Sequence, residues 1–473
     1  MNHAQKLLQE RLDNGRELRK QIPRKAQAEV GQTQRDVVAL LERSSHDRLQ
    51  RLVPLRYGRM LSSPFAFFRG SALLQAHDLA ATPCSGLIQQ ICGDCHLLNF
   101  GGFATPERTL VFDLNDFDET HPGPWEWDLK RLVASFHVAA THFGFKPEAA
   151  DELVWQLVTS YRQHMANYAQ MGALEIWYDR LSFDRLLKSV EHASARHLLR
   201  QAMERAARRT HDELLPRIAE RQGESWLLKD APPCLFHLHG SSSLLTAEDG
   251  WMNAQEWRSL FVGMYEQYLQ TLSASHRQLL GYFTLQDLAF KVVGVGSVGT
   301  RCLVMLLTDA MQRPLFLQIK EARESVLAGY VPAGTSGYAH QGERVVIGQR
   351  MMQASSDAFL GWASGPRGRH YFLRQLRDMK LTPQLELYDA ELFGLYAGIC
   401  GWVLARAHAR AGGMAPEIAG YIGGSEAFAE ALVKYGRSYA QRVEQDYELF
   451  RKACRSGRLQ AQSEADFSAD SSI

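Results

Sequence analysis

The sequence predicts an α+β chain in which a small β-rich lobe is inserted into a larger helical one. Three observations predict it. Residues up to about 281 are dominated by helical periodicity. From Leu285 to Lys320 the texture changes to the β-rich runs "DLAFKVVGVGSVGTRCLVMLL" and "PLFLQIKEA", cut by glycines or by "TDAMQR". After about 381 a long apolar helical pattern returns, "LYDAELFGLYAGICGWVLARAHARA" at 387–411. The implied divisions are a helical large lobe over 1–281, a β-rich lobe over 282–380, a helical return over 381–455 and a polar, disordered tail over 456–473.

Each element has its own justification. Residues 1–60 read as amphipathic helix, with Leu7, Leu8 and Leu12, then Val37, Val38, Leu40 and Leu41, at helical spacing. In "LSSPFAFFRGSALL" (61–74) a Ser-Ser-Pro start leads into an aromatic segment, and the glycine-punctuated stretch 93–128 reads as loop, strand, loop. Residues 129–220 are helical in pattern, as in "DELVWQLVTSYRQHM". Pro232-Pro233 and "HGSSS" (239–243) mark internal breaks, and 253–280 reads as helix again. Beyond the β-rich runs a helix is expected over 340–353 and a strand or strand pair within 370–379; no internal repeat is visible.

Composition narrows the function classes. With 53 basic and 52 acidic residues the net charge is +1, so no global field favours nucleic acid or an anionic membrane. The basic run Arg205 to Arg209 reads as a solvated helix face. The charged N-terminus has no apolar core of a secretory signal. The longest apolar stretch, Leu392 to Ala405, falls short of the ~20 residues that span a bilayer. Seven cysteines, sparse and odd in number, suit a reducing cytoplasm. That context removes the haem-attachment reading of Cys92-Gly-Asp-Cys-His96, which needs an oxidising compartment. Zinc at Cys92 and Cys95 with Cys84 or His96 lacks a second ligand pair at a useful spacing.

The chemistry-bearing motifs point elsewhere. Gly294-Val-Gly296-Ser297-Val-Gly299 is followed by "TRCLVMLL", which is strand-like and no helix start. A strand, glycine loop and strand suit a flap whose amides face nucleotide phosphates. The next strand carries Lys320, placed as the lysine that grips phosphates in protein kinases, and such a lysine needs a helix carboxylate to hold it. Glu343, in "HQGERVVIGQRM", is the candidate. Asp94 and Asn99 are five residues apart, the spacing at which kinases place an acceptor-orienting aspartate and a magnesium-binding asparagine. In "TLVFDLNDFDET" Asp116 is the preferred second metal ligand, with Asp113 as its competitor and Asp118 and Glu119 as contributors or solvated neighbours.

"GDCHLLN" resembles the Gly-Asp-x-His-x-x-Asn loop of aminoglycoside and choline phosphotransferases, and "GPWEWDLKRL" the segment that follows their metal aspartate. The resemblance implies that Asp128 braces the loop and that His96 orients it. Kinases place the flap and lysine first, whereas here the Asp94–Asn99 loop precedes the flap by 200 residues. A circular permutation reconciles the order, and "GWVLARAHARAGG" (401–413) resembles the helix end that normally precedes the catalytic loop. "SPFAFFRG", "GDCHLLNFG", "VFDLNDFDET" and "GQRMMQASSDAFLGW" together resemble the bacterial family catalogued as domain of unknown function 2252. This resemblance implies a kinase-like two-lobed fold and adds Arg69, Gln349 and Arg350 as pocket residues.

The expected protein is a cytoplasmic phosphotransferase-like enzyme that uses ATP and Mg²⁺ on a hydroxyl or amine of a small molecule or protein. AMP transfer on the same fold and a non-catalytic nucleotide-binding scaffold are the alternatives. Neither nucleic acid nor membrane is an expected partner.

Overall fold

In the computed structural model, residues 3–470 are described, except 32–33, 191–192, 241–242, 246–251, 253–256, 332–337 and 377–378. The chain is mixed α+β. Strands are β1 (Ile88–Ile91), β2 (Phe100–Ala104), β3 (Leu110–Leu114), β4 (His121–Pro124), β5 (Ala219–Gln222), β6 (Ser225–Leu228), β7 (Leu235–His237), β8 (Thr284–Lys291), β9 (Cys302–Thr308), β10 (Pro314–Glu321), β11 (Gly361–Ser364) and β12 (His370–Gln375). The six strands β7 to β12 form one antiparallel sheet in the order β11-β12-β10-β9-β8-β7.

The helical part packs around the Ala390–Gly412 helix, which lies against the Pro147–Tyr168 helix. Close approach is built into the sequence: a Cβ on Gly401 would sit 2.3 Å from the Leu157 carbonyl oxygen. Trp125, Leu157, Tyr161, Val403 and Phe428 are fully buried there. Burial of such side chains supplies roughly 1.5–3 kcal/mol each, which makes this core the main stabiliser of the large lobe.

The small lobe begins earlier than the composition change at 282 suggested. β7 pairs with β8 as far upstream as Leu235, and the Trp257–Gln270 and Ala274–Leu280 helices bury Phe261, Met264, Tyr268 and Leu280 against β8, β9 and β10. On the opposite face, Leu215, Ala219 and Leu228 cover Ala289, Val304, Leu306 and Phe316. A helical period states only that one face is apolar. It does not name the core that face joins, so 253–280 reads as large lobe in sequence while its described part, 257–280, packs on the sheet in space. The N-terminal Leu49, Leu52 and Leu55 enter the same core.

The expected disordered tail is also corrected. The Gln462 amide donates to the Pro54 carbonyl at 3.0 Å, and the Glu464–Asp470 helix buries Phe467 in the sheet's core. Leu459 is buried in the core of the large lobe. Two apolar side chains in a polar background suffice to dock the segment. Truncation after Arg455 should therefore lower the urea midpoint by an amount corresponding to ~2 kcal/mol or more. An unchanged midpoint would mean that the tail does not dock.

On β7, His237 is clamped between Asp287 (Nε2 to Oδ2, 3.0 Å) and Asp230 (Nδ1 to Oδ1, 2.9 Å). The bonds from Asp287 and then Asp230 outweigh burial and raise its pKa to about 9. A raised folded-state value stabilises fully below the ordinary 6.5 and loses its contribution as pH rises through about 9. The stability advantage of wild type over His237→Gln should fade across that window in equilibrium unfolding; a constant difference would disprove the clamp.

Candidate functional site

Two short ladders place two loops side by side. In the first, β1 pairs antiparallel with β4, with Ile91 opposite His121. In the second, β2 pairs with β3, with Phe100 opposite Leu114. The segment 92–99 and the segment 115–120 are therefore each held at both ends, and each end lies beside the other loop. The Asn115 amide donates to the Asn99 carbonyl at 2.8 Å. Gly93 has φ +89°, and a Cβ there would lie 2.1 Å from the Glu119 carbonyl oxygen. Only glycine suits both the conformation and the contact.

Each loop has a buried brace. Asp128, in the first turn of the Trp125–His142 helix, accepts from the Cys92 amide at 2.7 Å and the Gly93 amide at 2.8 Å. His408, on the Ala390–Gly412 helix, meets Asp128 at 3.2 Å and is itself bonded to the Tyr161 hydroxyl at 2.8 Å. Arg344, from the Gln341–Met352 helix, donates to the Asp118 carbonyl at 2.9 Å, the Arg323 carbonyl at 2.8 Å and the Thr120 carbonyl. These side chains satisfy backbone groups that a loop would otherwise leave unpaired.

The loops open into a cleft of about 750 Å³ lined by Asp94, Asn99, Asp116, Asp118 and the flap residues Gly294, Gly296 and Ser297. The flap joins antiparallel β8 and β9, as the glycine spacing predicts, with Gly294 at φ +63° and Gly299 at φ +83°. It is tied to N-terminal helices: Arg59 donates to the Gly294 carbonyl at 2.6 Å and Arg48 to the Val298 carbonyl at 2.7 Å. Gly299 accepts from the Leu49 amide at 2.8 Å and serves as the flap's anchor.

Asp94 receives Arg131 Nε at 2.8 Å, while the same guanidinium bonds Gln75 and the Phe68 carbonyl and stacks on the Phe68 ring at 3.7 Å. One carboxylate oxygen is thus held, and the side chain stays partly exposed to the cleft. The Asn99 amide nitrogen donates to the Asp94 carbonyl at 2.6 Å, and its side-chain oxygen is the remaining acceptor of that amide.

Lys320, on β10, is almost fully buried and lies 3.8 Å from Asp116 Oδ1 and in contact with Asp118 Oδ2. Burial favours the neutral acid at Asp116, but Lys320 and Arg374 prevail and hold it at about 2. Asp118 is pushed the other way, by burial and by the charge of Asp116. Burial lowers Lys320, and the two aspartates more than reverse this. One cation thus serves two carboxylates, and Asp118 Oδ1 is buried without a hydrogen-bond partner.

Three expectations need correction. Lys320 forms no pair with Glu343 among the described residues; Asp116 and Asp118 take its charge, and Glu343 lies in the first turn of its helix, outside the cleft lining. The helix supplies Arg344 to the neighbouring loop instead. Asp113 is no cleft residue: it is buried on β3, paired with Arg406 at 2.6 Å, and accepts the Ala354 amide at 2.7 Å. Strand alternation explains it, since Asp113 ends in the ladder while Asp116 lies beyond it. Of the residues added by resemblance, Arg69 lines the cleft, whereas Gln349 is buried against Gln353 and Arg350 bonds the Leu360 carbonyl.

The expected bracing roles hold for Asp128, and His96 is buried at the cleft wall, where burial depresses its pKa to about 4 and keeps it neutral. Cys92 and Cys95 are packed beneath the loop. Their mutual contact pulls Cys92 down, but burial and the nearby aspartates push it up to about 11; burial also raises Cys95. No group of three or more His, Cys, Asp or Glu able to hold a metal by themselves occurs among the described residues. Sequence reasoning missed Arg131 and the weight of Asp118. Arg131 was findable: it follows Asp128 by three positions, one helical turn along the same face.

Residues 48–453 match the family model described as an uncharacterized protein conserved in bacteria (DUF2252). The chain belongs to this family. That span holds Asp94, Asn99, Asp116, Asp118, the 294–299 flap, Lys320 and His408. No curated protein and no solved structure matches the chain. No described helix is long and apolar enough to cross a membrane.

The two aspartates of the old ambiguity should separate experimentally. Asp113→Ala strands the buried Arg406 charge and should cost about 3–5 kcal/mol in urea unfolding. Asp116→Asn, at a partly exposed position beside a like charge, should stay within about 1 kcal/mol. Equal losses would contradict the assignment.

Proposed function

We propose that this DUF2252 member is a cytoplasmic phosphotransferase that uses ATP and Mg²⁺, on a kinase-like fold in circularly permuted order. The observation that carries the reading is convergence. The Asp94–Asn99 loop, the Asp116–Glu119 loop and the 294–297 flap, up to 200 residues apart in the chain, line one cleft, with Lys320 against two of its aspartates.

The order of parts in the small lobe supports the fold. A glycine-flap hairpin (β8, β9) is followed by a lysine strand (β10), a helix (Gln341–Met352) and two more strands, as in kinases. The permuted order is supported by His408: the helix that follows the small lobe returns beneath the Asp94 loop and meets its brace, Asp128.

The donor set also fits the cofactor. Mg²⁺ takes one or two carboxylates and completes its shell with water and phosphate oxygens. Asp116, kept ionised by Lys320, the Asn99 oxygen and the unpartnered Asp118 oxygen would hold it. When bound, the ion neutralises charge on the phosphates. Lys320, beside Asp116 and Asp118, would meet phosphate oxygens by its strand position, and the flap amides approach them without side-chain obstruction at Gly294. Asp94, oriented by Arg131, accepts the proton of the acceptor hydroxyl as its oxygen bonds the γ-phosphorus and the bridge to ADP breaks.

Thermal unfolding with Mg²⁺–ATP tests the site. Nucleotide at ~100 times its Kd adds about 2.7 kcal/mol, a shift of several degrees for a protein of this size. Wild type should show it and Asp116→Ala and Lys320→Ala should lose it. Asp94→Asn should keep the shift and lower turnover by roughly 10²–10⁴. No shift in wild type at millimolar nucleotide would sink the reading, and release of pyrophosphate in place of ADP would replace phosphoryl by nucleotidyl transfer.

A further inference from the structure

The cleft wall carries charge that the protein does not neutralise. Arg48, Arg56 and Arg69, all from the N-terminal helical segment, line the cleft. Among the described residues none of the three pairs with a carboxylate. Arg48 donates to the Ser44 carbonyl at 3.0 Å and the Val298 carbonyl at 2.7 Å. Arg56, 1% exposed, donates to the Ser45 hydroxyl at 3.0 Å and the Gly70 carbonyl at 2.6 Å, and its Nε is buried without a partner. Arg69 makes no hydrogen bond to the protein among the described residues, and its Nε is likewise buried and unpartnered. Arg369 differs, being paired with Asp47 at 2.9 Å and Glu321 at 2.7 Å, whereas Arg43 meets the Tyr330 hydroxyl.

Unpaired guanidiniums removed from water are costly, and a cleft that keeps three, Arg56 buried and Arg48 and Arg69 partly buried, is complementary to an anion. Burial depresses all three, most at Arg48, where Arg56 and Arg323 add repulsion. A bound oxyanion relieves both effects and satisfies the orphaned donors by planar, bidentate geometry.

The position of this wall says which anion. Arg69 directly follows Phe68, whose ring and carbonyl hold Arg131, the residue that orients Asp94. Asp94 in turn acts on Arg69 electrostatically. The flap closes from above, where a Cβ on Gly296 would lie 3.1 Å from the Arg69 carbonyl oxygen. The unpaired arginine therefore belongs to the Asp94 side of the cleft, whereas Lys320 belongs to the Asp116 side.

We propose that Arg48, Arg56 and Arg69 form an oxyanion subsite for the acceptor, so that the acceptor is an acidic molecule carrying a phosphate or carboxylate beside the hydroxyl presented to Asp94. The word acceptor rests on the phosphotransferase reading; the anion site itself does not. A nucleotide phosphate is the other source of the same chemistry, and the experiment separates the two.

The probe is inorganic phosphate, titrated by thermal unfolding against the full-length chain with and without a saturating non-hydrolysable ATP analogue and Mg²⁺. Phosphate alone should raise the midpoint by a few degrees, at constant ionic strength against chloride, and the rise should persist when the analogue is present. Arg69→Ala should abolish the phosphate shift, Arg69→Lys should retain part of it, and Arg69→Ala without ligand should unfold close to wild type, because the Arg69 side chain makes no hydrogen bond or ion pair among the described residues and meets only the Phe65 ring at 6.0 Å. The proposal is overturned by a phosphate shift that is absent in wild type, that survives Arg69→Ala, or that the analogue eliminates, the last result assigning the wall to the nucleotide. A phosphate shift without any nucleotide shift would uphold the anion site and remove the phosphotransferase reading alone.

Discussion

Lys320 is the constraint on which the cleft depends. It stands on a central strand of the sheet, nearly free of solvent, and its charge is met by two aspartates from a loop of the helical lobe. A buried ammonium cannot remain without a carboxylate, and two carboxylates this close cannot both remain ionised without a cation. Each side therefore requires the other, and the requirement joins a strand at 314–321 to a loop at 116–119 across 200 positions of sequence. The opposite effects on the pair, Asp116 pulled down and Asp118 pushed up, are the electrostatic consequence of sharing one cation.

Around that cluster the backbone is over-determined. The β1–β4 and β2–β3 ladders hold the two loops at four ends, Asp128 and Arg344 occupy their amides and carbonyls, and Gly93 lets them touch. Four buried polar atoms of cleft-lining side chains have no partner: Asp118 Oδ1, His96 Nδ1, and the Nε atoms of Arg56 and Arg69. Rigid loops with unspent donors and acceptors are what a preorganised site requires, since a bound ligand then meets oriented groups without a cost in reorganisation. Acidic groups and unpaired arginines both line the cleft, so charge is concentrated there although the whole chain is nearly neutral.

Much of this was legible. The glycine spacing 294–299 with a strand on either side, the Asp94–Asn99 interval, Asp116 beyond an apolar strand and the bracing role of Asp128 all depend on local pattern, and local pattern survives in the fold. The errors have a common cause. Glu343 was assigned by helical position, but which face of its helix met the 115–120 loop depended on packing, and that face presented Arg344. Residues 253–280 and 459–467 displayed apolar positions without stating which core would receive them.

By itself the sequence determined the class of elements, the places where backbone had to bend, and the residue types capable of handling charge, because these are set by periodicity, glycine and side-chain chemistry. Only the tertiary structure decided partnership. Whether Asp113 met Arg406 or a cleft, whether Lys320 met a glutamate or two aspartates, and whether Arg69 met a carboxylate or only the Phe65 ring were decided by the packing of the folded chain. Burial makes an unpaired charge costly enough to dictate neighbours, and burial is a property of the folded chain that no local window contains.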